Sequence, residues 1–485
     1  MKPAELLDGL PVTDVVGAFP DGQEVTGITK DSREVGPGAI FFVTPSSRAF
    51  LADALARRPA VVVSEEPVPG EIPCLVLTAN ARLLLAQAAA RLYGFPSRRM
   101  HVTGITGTNG KTTVSYLIES IAGAAGEKAG VIGTISYRYD GREMKGSNTT
   151  PESVEIQSLL AAMNGAGVRY AVMEVSSHAL DQGRVECIDF DCAVFTNLTH
   201  DHLDYHGDFA SYRQAKSLLF HRYLAQSAKE TRWAVLNTDD PSAPSFVPAP
   251  PVRTATYSAK GGADAYPVSV EETIDGIALG LSMRGRRMDV KTPLVGLFNV
   301  SNILAAALAG DACGFAPETI AGGINTLKRV PGRLDRVGTG RGFYVFVDYA
   351  HTPDALEKTM DTLNRVRPGR LIVVFGCGGD RDRAKRPVMG RIATSLADFT
   401  IITSDNPRTE KPAAIIEEIR SGVAGGTFKT VEDRKEAIAE AIAMAWDKDV
   451  VLVAGKGHED YQIIGKTALP FSDRAVIEES LRVAG

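Results

Sequence analysis

Apolar residues along this chain come in short unbroken runs rather than in strict alternation with polar ones. Ala39-Ile-Phe-Phe-Val43, Ala60-Val-Val-Val-Ser64 and Cys74-Leu-Val-Leu-Thr78 are the first of these, separated by Gly/Pro punctuation and Ala-rich helical stretches, which predicts a small α/β domain. A helix around Ala81–Tyr93 leads through Gly94-Phe-Pro-Ser97 into a new strand at His101–Thr106, and this break sets a first boundary. Further runs follow at Tyr170–Val175, Cys192–Thr196 and Trp233–Asn237, with helical segments between them. Continuous apolar runs suit the strands of a parallel sheet covered on both faces. Pro241–Pro251 is proline-rich, and the stretch from there to Lys291 carries the Gly-Arg and Asp-Gly turns of antiparallel hairpins, read as a β insertion. After Pro331-Gly-Arg333 the alternation resumes at Tyr344–Val347, Leu371–Phe375, Phe399–Thr403 and Val450–Ala454, which predicts a second doubly wound sheet.

In this last region polar residues sit just after each strand: Asp348-Tyr-Ala-His351, Gly376-Cys-Gly-Gly-Asp-Arg381, Ser404-Asp-Asn-Pro-Arg408 and Gly455-Lys-Gly-His-Glu459. Ligands of open α/β sheets bind outside the carboxyl ends of the strands, so loops of this kind on one sheet predict a binding site. The 485 residues suggest about three domains at roughly 150 residues each. The formal charge of −5 gives no global cationic excess for a phosphate backbone, so a nucleic-acid partner is not expected. Glu5 and Asp8 interrupt the first residues where a secretory signal would be apolar, and no window reaches the ~18 apolar residues of a membrane span. The expectation is a cytoplasmic protein with no membrane partner, acting as a monomer. The cysteines, five and without a CxxC spacing, read as free thiols.

The most specific local signal is Gly104-Ile-Thr-Gly-Thr-Asn-Gly-Lys-Thr-Thr113, which ends one strand and opens a helix with an apolar face at Val114, Leu117, Ile118 and Ile121. Backbone N–H groups and a helix N-terminus converge there, a ready anion site. Lys111 can reach the outer phosphates of a nucleotide and the Thr112 hydroxyl can ligate magnesium. The strict GxxxxGK[ST] pattern would need glycine at 105, where this chain has Ile105; the first loop glycine is Gly107 instead. ATP or GTP binding follows, though the loop alone leaves the reaction open.

The ordered motifs resemble the Mur ligase family of ATP-dependent amide-forming enzymes nearly end to end. They are Gly107-Thr-Asn-Gly-Lys-Thr-Thr113, Asn148-Thr-Thr-Pro151, Glu174-Val-Ser-Ser-His178, Thr196-Asn-Leu-Thr-His-Asp-His-Leu-Asp204, Tyr212-Arg-Gln-Ala-Lys216, Phe298-Asn-Val-Ser-Asn302, Pro331-Gly-Arg333 and Asp348-Tyr-Ala-His351. Ser404-Asp-Asn-Pro-Arg408 and Gly455-Lys-Gly-His-Glu459 resemble the family's diaminopimelate-adding members. The resemblance implies an α/β fold of three domains: an N-terminal UDP-substrate-binding domain over 1–95, a central domain over 96–330 with a P-loop ATPase-type parallel sheet and a β insertion, and a C-terminal amino-acid-binding domain over 331–485 with a Rossmann-like sheet. It implies addition of meso-diaminopimelate to UDP-MurNAc-L-Ala-D-Glu through an acyl phosphate, in peptidoglycan precursor synthesis. An L-lysine-adding ligase, a folylpolyglutamate synthase-like ligase and a P-loop nucleotide switch are the alternatives.

Carried over residue by residue, the resemblance assigns ATP to Gly107, Thr108, Asn109, Gly110, Lys111, Thr112 and Thr113, with Asn299 and Asp348 on the adenine and ribose side and Arg333 toward the phosphates. Thr112 and Glu174 resemble ligands of one Mg²⁺ and His202 a ligand of a second. The dense run His200-Asp-His-Leu-Asp-Tyr-His206 would also suit zinc, but a cluster without cysteine at an ATP site fits magnesium better. Lys216 matches a lysine carbamylated by CO₂ that helps organise the second ion, so Lys111, Glu174, His202 and Lys216 form the expected catalytic set. Ser32, Thr149, Thr150, Ser176, Gln182 and Arg184 resemble contacts to the UDP-MurNAc-dipeptide, with Ser46 a further candidate in a loop shorter than that of relatives. Arg381, Asp405, Asn406, Pro407, Arg408, Gly455 and Glu459 resemble the diaminopimelate site.

Overall fold

The structure, a computed structural model, describes residues 1–70 and 72–483. It divides into two compact units, one formed by residues 1–266, 283–285 and 302–323, the other by residues 267–282, 286–301 and 324–485. All five cysteines are free. Among the described residues no helix is long and apolar enough to cross a membrane.

The first unit begins with a five-stranded sheet in the order Val12–Gly17, Cys74–Thr78, Val61–Ser64, Ala39–Phe42, Gly27–Thr29. The three apolar runs form its parallel centre. Alternate residues of one strand serve opposite layers: Ile40 and Phe42 join one buried cluster, Phe41 and Val43 another. That two-sided burial is why the runs are unbroken. The antiparallel edge strand Val12–Gly17 was not anticipated, because most of its residues are exposed and carry no apolar run.

The second sheet of this unit is centred on His101–Thr106, flanked by Tyr170–Glu174 and Cys192–Phe195, all parallel. Ala129–Ile132 and Trp233–Asn237 extend it on either side. Arg253–Tyr257 lies parallel to Trp233–Asn237, so the sheet continues past the proline-rich stretch where the sequence suggested antiparallel hairpins only. The hairpin strands follow later, at Ala265–Thr273, Gly276–Met283 and Arg286–Thr292, and most of their residues belong to the second unit. Arg284 and Gly285 both have positive φ, the backbone a two-residue hairpin turn requires.

In the second unit a six-stranded sheet runs Asp335–Val337, Tyr344–Asp348, Val450–Ala454, Leu371–Phe375, Phe399–Ile402, Phe428–Thr430, parallel except at the first strand. Leu371, Val373 and Phe375 pack into one layer, Ile372 and Val374 into the other. The anticipated parallel core is therefore present, with shorter edge strands added that lack apolar runs of their own. Behind the loops of this sheet lies a fully buried ion pair. The Arg434 guanidinium donates to both Asp473 oxygens at 2.8 Å and to the Ala454 carbonyl at 3.0 Å. Deleting one partner strands a charge where water cannot reach it. Asp473→Ala is expected to lower the free energy of unfolding by about 3–5 kcal/mol. A chemical denaturation midpoint unchanged from the wild type would show that this pair does not anchor the sheet.

Candidate functional site

The strand His101–Thr106 runs to the loop glycine, which accounts for Ile105. This residue is fully buried and paired with Glu174, so the strand still needs a core side chain there. The loop turns only at Gly107, with φ +145°, where a Cβ would collide with the Thr196 hydroxyl. Gly110, at φ +87°, caps the helix Lys111–Ala124. The loop is pinned from the next strand's end: Thr108 N–H donates to the Asn197 carbonyl at 2.8 Å, and Asn109 N–H to Asn197 Oδ1 at 2.9 Å. Lys111 Nζ donates to the carbonyls of Gly107 and Thr108 at 2.8 and 2.9 Å, which folds the ammonium back over the loop.

Glu174, at the end of its strand, is 1% exposed. Thr112 Oγ1 donates to its Oε2 at 3.0 Å, and Thr134, which the motif reading did not single out, donates through Oγ1 at 2.8 Å and through N–H at 3.1 Å. Carboxylate and hydroxyl oxygens thus converge beside the loop, a hard oxygen donor set of the kind magnesium takes. Thr134 Oγ1 also lies 3.0 Å from Thr149 Oγ1. Thr150 Oγ1 donates to the Glu174 carbonyl at 2.8 Å and accepts from Ser176 N–H at 2.9 Å. Arg184 donates to Gln182 Oε1 at 2.7 and 3.0 Å and to the Thr150 carbonyl at 3.0 Å. Thr149, Thr150, Ser176, Gln182 and Arg184 therefore meet in one place although they are scattered over the sequence. Glu152 links this group to the first sheet, pairing with Arg184 at 3.3 Å and with Lys30 at 2.9 Å. Ser32, two residues beyond Lys30, is buried in a short 3₁₀ turn, and Ser46 lies 3.1 Å from Thr44 Oγ1.

Lys216 departs most from a surface lysine. The helix Phe209–Leu218 buries Tyr212, Ala215 and Lys216 and passes into a π-helical turn at Leu219–Leu224. Lys216 is 2% exposed. Its Nζ donates to the Gly107 carbonyl at 3.0 Å and lies 4.6 Å from the Tyr212 ring centre. Burial, with the Lys111 ammonium nearby, pushes its pKa well below that of an ordinary lysine. The His202 ring stands edge-on to the same tyrosine, with centres 6.1 Å apart, and burial lowers its pKa as well. The other histidines of that run are used differently: His200 packs on Phe209, and His206 Nε2 is 2.9 Å from the Ser177 hydroxyl.

In the second unit Asp348 is buried and accepts from Leu334 N–H at 2.7 Å and Ala350 N–H at 2.8 Å, with its pKa raised by burial. It thereby fixes the turn carrying Arg333, whose guanidinium lies 5.4 Å from the Tyr349 ring centre. Asn299 Nδ2 donates to the Val295 carbonyl at 2.8 Å. The diaminopimelate candidates cluster at the carboxyl ends of the parallel strands. Asn406 Nδ2 donates to Glu459 Oε2 at 2.9 Å, Arg408 donates to the Gly379 carbonyl at 2.8 Å, and a Cβ at Gly455 would come within 2.8 Å of Asp405. Arg381 is exposed and Pro407 buried within the same loops. Arg386, missed by the motif reading, is fully buried and holds this cluster from below, donating to Glu410, Glu418 and the Gly378 carbonyl. Its guanidinium brings Glu410 down to about 2. Lys456 was missed as well, though it stands inside the Gly455–Glu459 motif.

The Mur ligase middle domain matches residues 105–310, and the Mur ligase glutamate ligase domain residues 332–457. A UDP-N-acetylmuramoyl-L-alanyl-D-glutamate--2,6-diaminopimelate ligase from Geobacillus kaustophilus strain HTA426 is 44% identical, covering 100% of both chains. One of the same name from Solibacter usitatus strain Ellin6076 is 45% identical over 95% of this chain and 94% of that protein. A solved structure bearing that name has a TM-score of 0.72 at 31% identity and covers 100% of this chain and 99% of its own. Similarity of this depth runs through the phosphate loop and the loops of the second unit alike, and by it the chain belongs to the Mur ligase family.

Proposed function

We infer that the protein is an ATP-dependent ligase that joins meso-diaminopimelate to the D-glutamyl carboxylate of UDP-MurNAc-L-Ala-D-Glu, a step of peptidoglycan precursor synthesis. The observation that carries the choice of amino acid is the Arg408 guanidinium in one loop cluster with Asn406 and Glu459, cation and anion together as a zwitterion with an extra carboxylate requires. The three-part division at 1–95, 96–330 and 331–485 is proposed with it, for nucleotide-sugar, ATP and amino acid respectively.

The chemistry needs charge neutralisation more than a strong base, since the attacking carboxylate is already ionised and the barrier lies in bringing anion to anion. Backbone N–H groups of Gly107 and of Gly110 to Thr113, with the Lys111 ammonium, hold the phosphates on a loop that the Thr108 and Asn109 N–H groups pin to Asn197. Thr112 and Glu174 would hold a magnesium ion, with His202 and a carbamylated Lys216 at a second; bound there, magnesium supplies further positive charge at the transferring phosphoryl group. His202, kept neutral by burial, has its ring lone pair available for such a role. Lys216, with its amine form favoured, can add to CO₂: the Nζ–carbon bond forms, one N–H proton leaves, and a neutral amine becomes a carbamate anion. Thr149, Thr150, Ser176, Gln182 and Arg184 orient the nucleotide-sugar so that its carboxylate meets the γ-phosphate. The acyl phosphate then takes the amine of diaminopimelate and phosphate leaves. Asn299, Arg333 and Asp348 belong to the ATP set in this reading.

The test is the product mass from UDP-MurNAc-L-Ala-D-Glu, ATP and an equimolar mixture of meso-diaminopimelate and L-lysine. One product carrying diaminopimelate is expected, with phosphate released only when all three substrates are present. A lysine adduct, or phosphate release from ATP alone at the same rate, would overturn the reading.

A further inference from the structure

Lys456 has no exposed side-chain surface. A lysine is rarely buried unless its ammonium is paired, and this one is paired with two of the proposed diaminopimelate contacts. Its Nζ donates to Asn406 Oδ1 at 2.9 Å and to Glu459 Oε2 at 3.1 Å. The Ile463 N–H donates to the same Asn406 oxygen at 3.0 Å. Two donors converging on one end of the amide leave a single satisfied orientation: the oxygen faces Lys456, and Nδ2 must face Glu459, to which it donates at 2.9 Å. Lys456, Asn406 and Glu459 thus close a triangle in which each side is a charge-assisted hydrogen bond.

We propose that Lys456 is a positioning residue for amino-acid specificity: together with the Ile463 N–H it holds the Asn406 amide in place, and it holds the Glu459 carboxylate at the angle from which it meets the ammonium group of the incoming amino acid. Its effect passes through its two partners. The proposal rests on the reading of this loop cluster as the diaminopimelate site. Without Lys456 the Asn406 amide oxygen loses one of its two donors and the Glu459 carboxylate loses one of its two, so both contacts to the ligand loosen together.

Steady-state kinetics of Lys456→Met separate positioning from packing. The KM for meso-diaminopimelate is expected to rise about tenfold or more, while the KM values for ATP and UDP-MurNAc-L-Ala-D-Glu stay within about twofold. A purely structural role would move all three or none. Because Lys456→Met leaves Glu459 short of a cation, Lys456→Met/Glu459→Gln, which removes both charges, is measured beside it and beside Glu459→Gln. Residues that act as one unit are not additive, so the double variant should lose less than the product of the single losses. If Lys456→Met does not fold, a KM for diaminopimelate alone that is higher in the double variant than in Glu459→Gln supports the proposal, and an equal one overturns it. A wild-type KM for diaminopimelate in either folded Lys456 variant, or multiplicative losses, overturns it. Unchanged diaminopimelate KM in both Asn406→Ala and Glu459→Gln would instead remove the site reading beneath it.

Discussion

Lys216→Ala is expected to cut the rate of amide formation by about 10²–10³-fold, the scale on which one preorganised charged group acts, and to recover part of it when formate or acetate is added. The argument begins with where the lysine is. Lys216 is 2% exposed, its ammonium faced by the Gly107 carbonyl and an aromatic ring and repelled by Lys111, and among the described residues no carboxylate is hydrogen-bonded to it. Such a place favours the neutral amine, which is the form that reacts with CO₂. Removing the side chain leaves room for a small carboxylate where the carbamate would stand. Acetate, but not chloride at equal ionic strength, should restore turnover, because only the former offers two acceptor oxygens in a plane. Full activity of the unsupplemented variant would reduce Lys216 to a buried packing residue, and equal rescue by chloride would point to a general salt effect.

Arg408→Ala is expected to lower kcat/KM for meso-diaminopimelate by about 30-fold to several thousand-fold, corresponding to about 2–5 kcal/mol for a desolvated charge pair. ATP affinity should change little. The backbone of Arg408 sits at φ +51°, a costly conformation for a residue with a Cβ. It is held there by its N–H to the Ile463 carbonyl at 3.0 Å and by the Gly465 N–H to its own carbonyl at 2.7 Å. That distortion turns the side chain toward Gly378 and Gly379. Nη1 is occupied by the Gly379 carbonyl at 2.8 Å, and a Cβ at Gly378 would approach it to 2.9 Å, so glycine is what leaves the guanidinium its room. The remaining edge of the fork can take a carboxylate by two parallel hydrogen bonds. L-Lysine would bring an ammonium to that edge instead. Wild-type discrimination between the two amino acids in the alanine variant would show that Arg408 does not read the far carboxylate.

Much of the protein was legible from local pattern. Unbroken apolar runs announced both faces of the parallel sheets, and Gly107 to Thr113 announced an anion site, because strand, glycine turn and helix start are all local events. Ser404–Arg408 and Gly455–Glu459 were visible as polar residues behind apolar strands. The edge strands Val12–Gly17 and Asp335–Val337 were not, since an edge is stabilised by its neighbour and needs no apolar run of its own. Nor was the continuation of the sheet through Arg253–Tyr257, whose pairing depends on a strand that ends at Asn237.

What the sequence determined by itself, then, was the set of chemical groups and the elements that carry them. The tertiary structure alone decided which groups meet and which lose water. Lys216 follows Tyr212 by one helical turn, but nothing in that spacing says that this face turns inward under Gly107. Thr134 reaches Glu174 only because the loop beyond Ala129–Ile132 folds back beside the neighbouring strand. Lys456 reads as one more loop lysine until register brings Asn406 and Glu459 to its ammonium and the surrounding chain shuts out solvent. Periodicity and turn chemistry are encoded over a few residues. Desolvation is a property of everything packed around a group, and no short stretch of sequence encodes it.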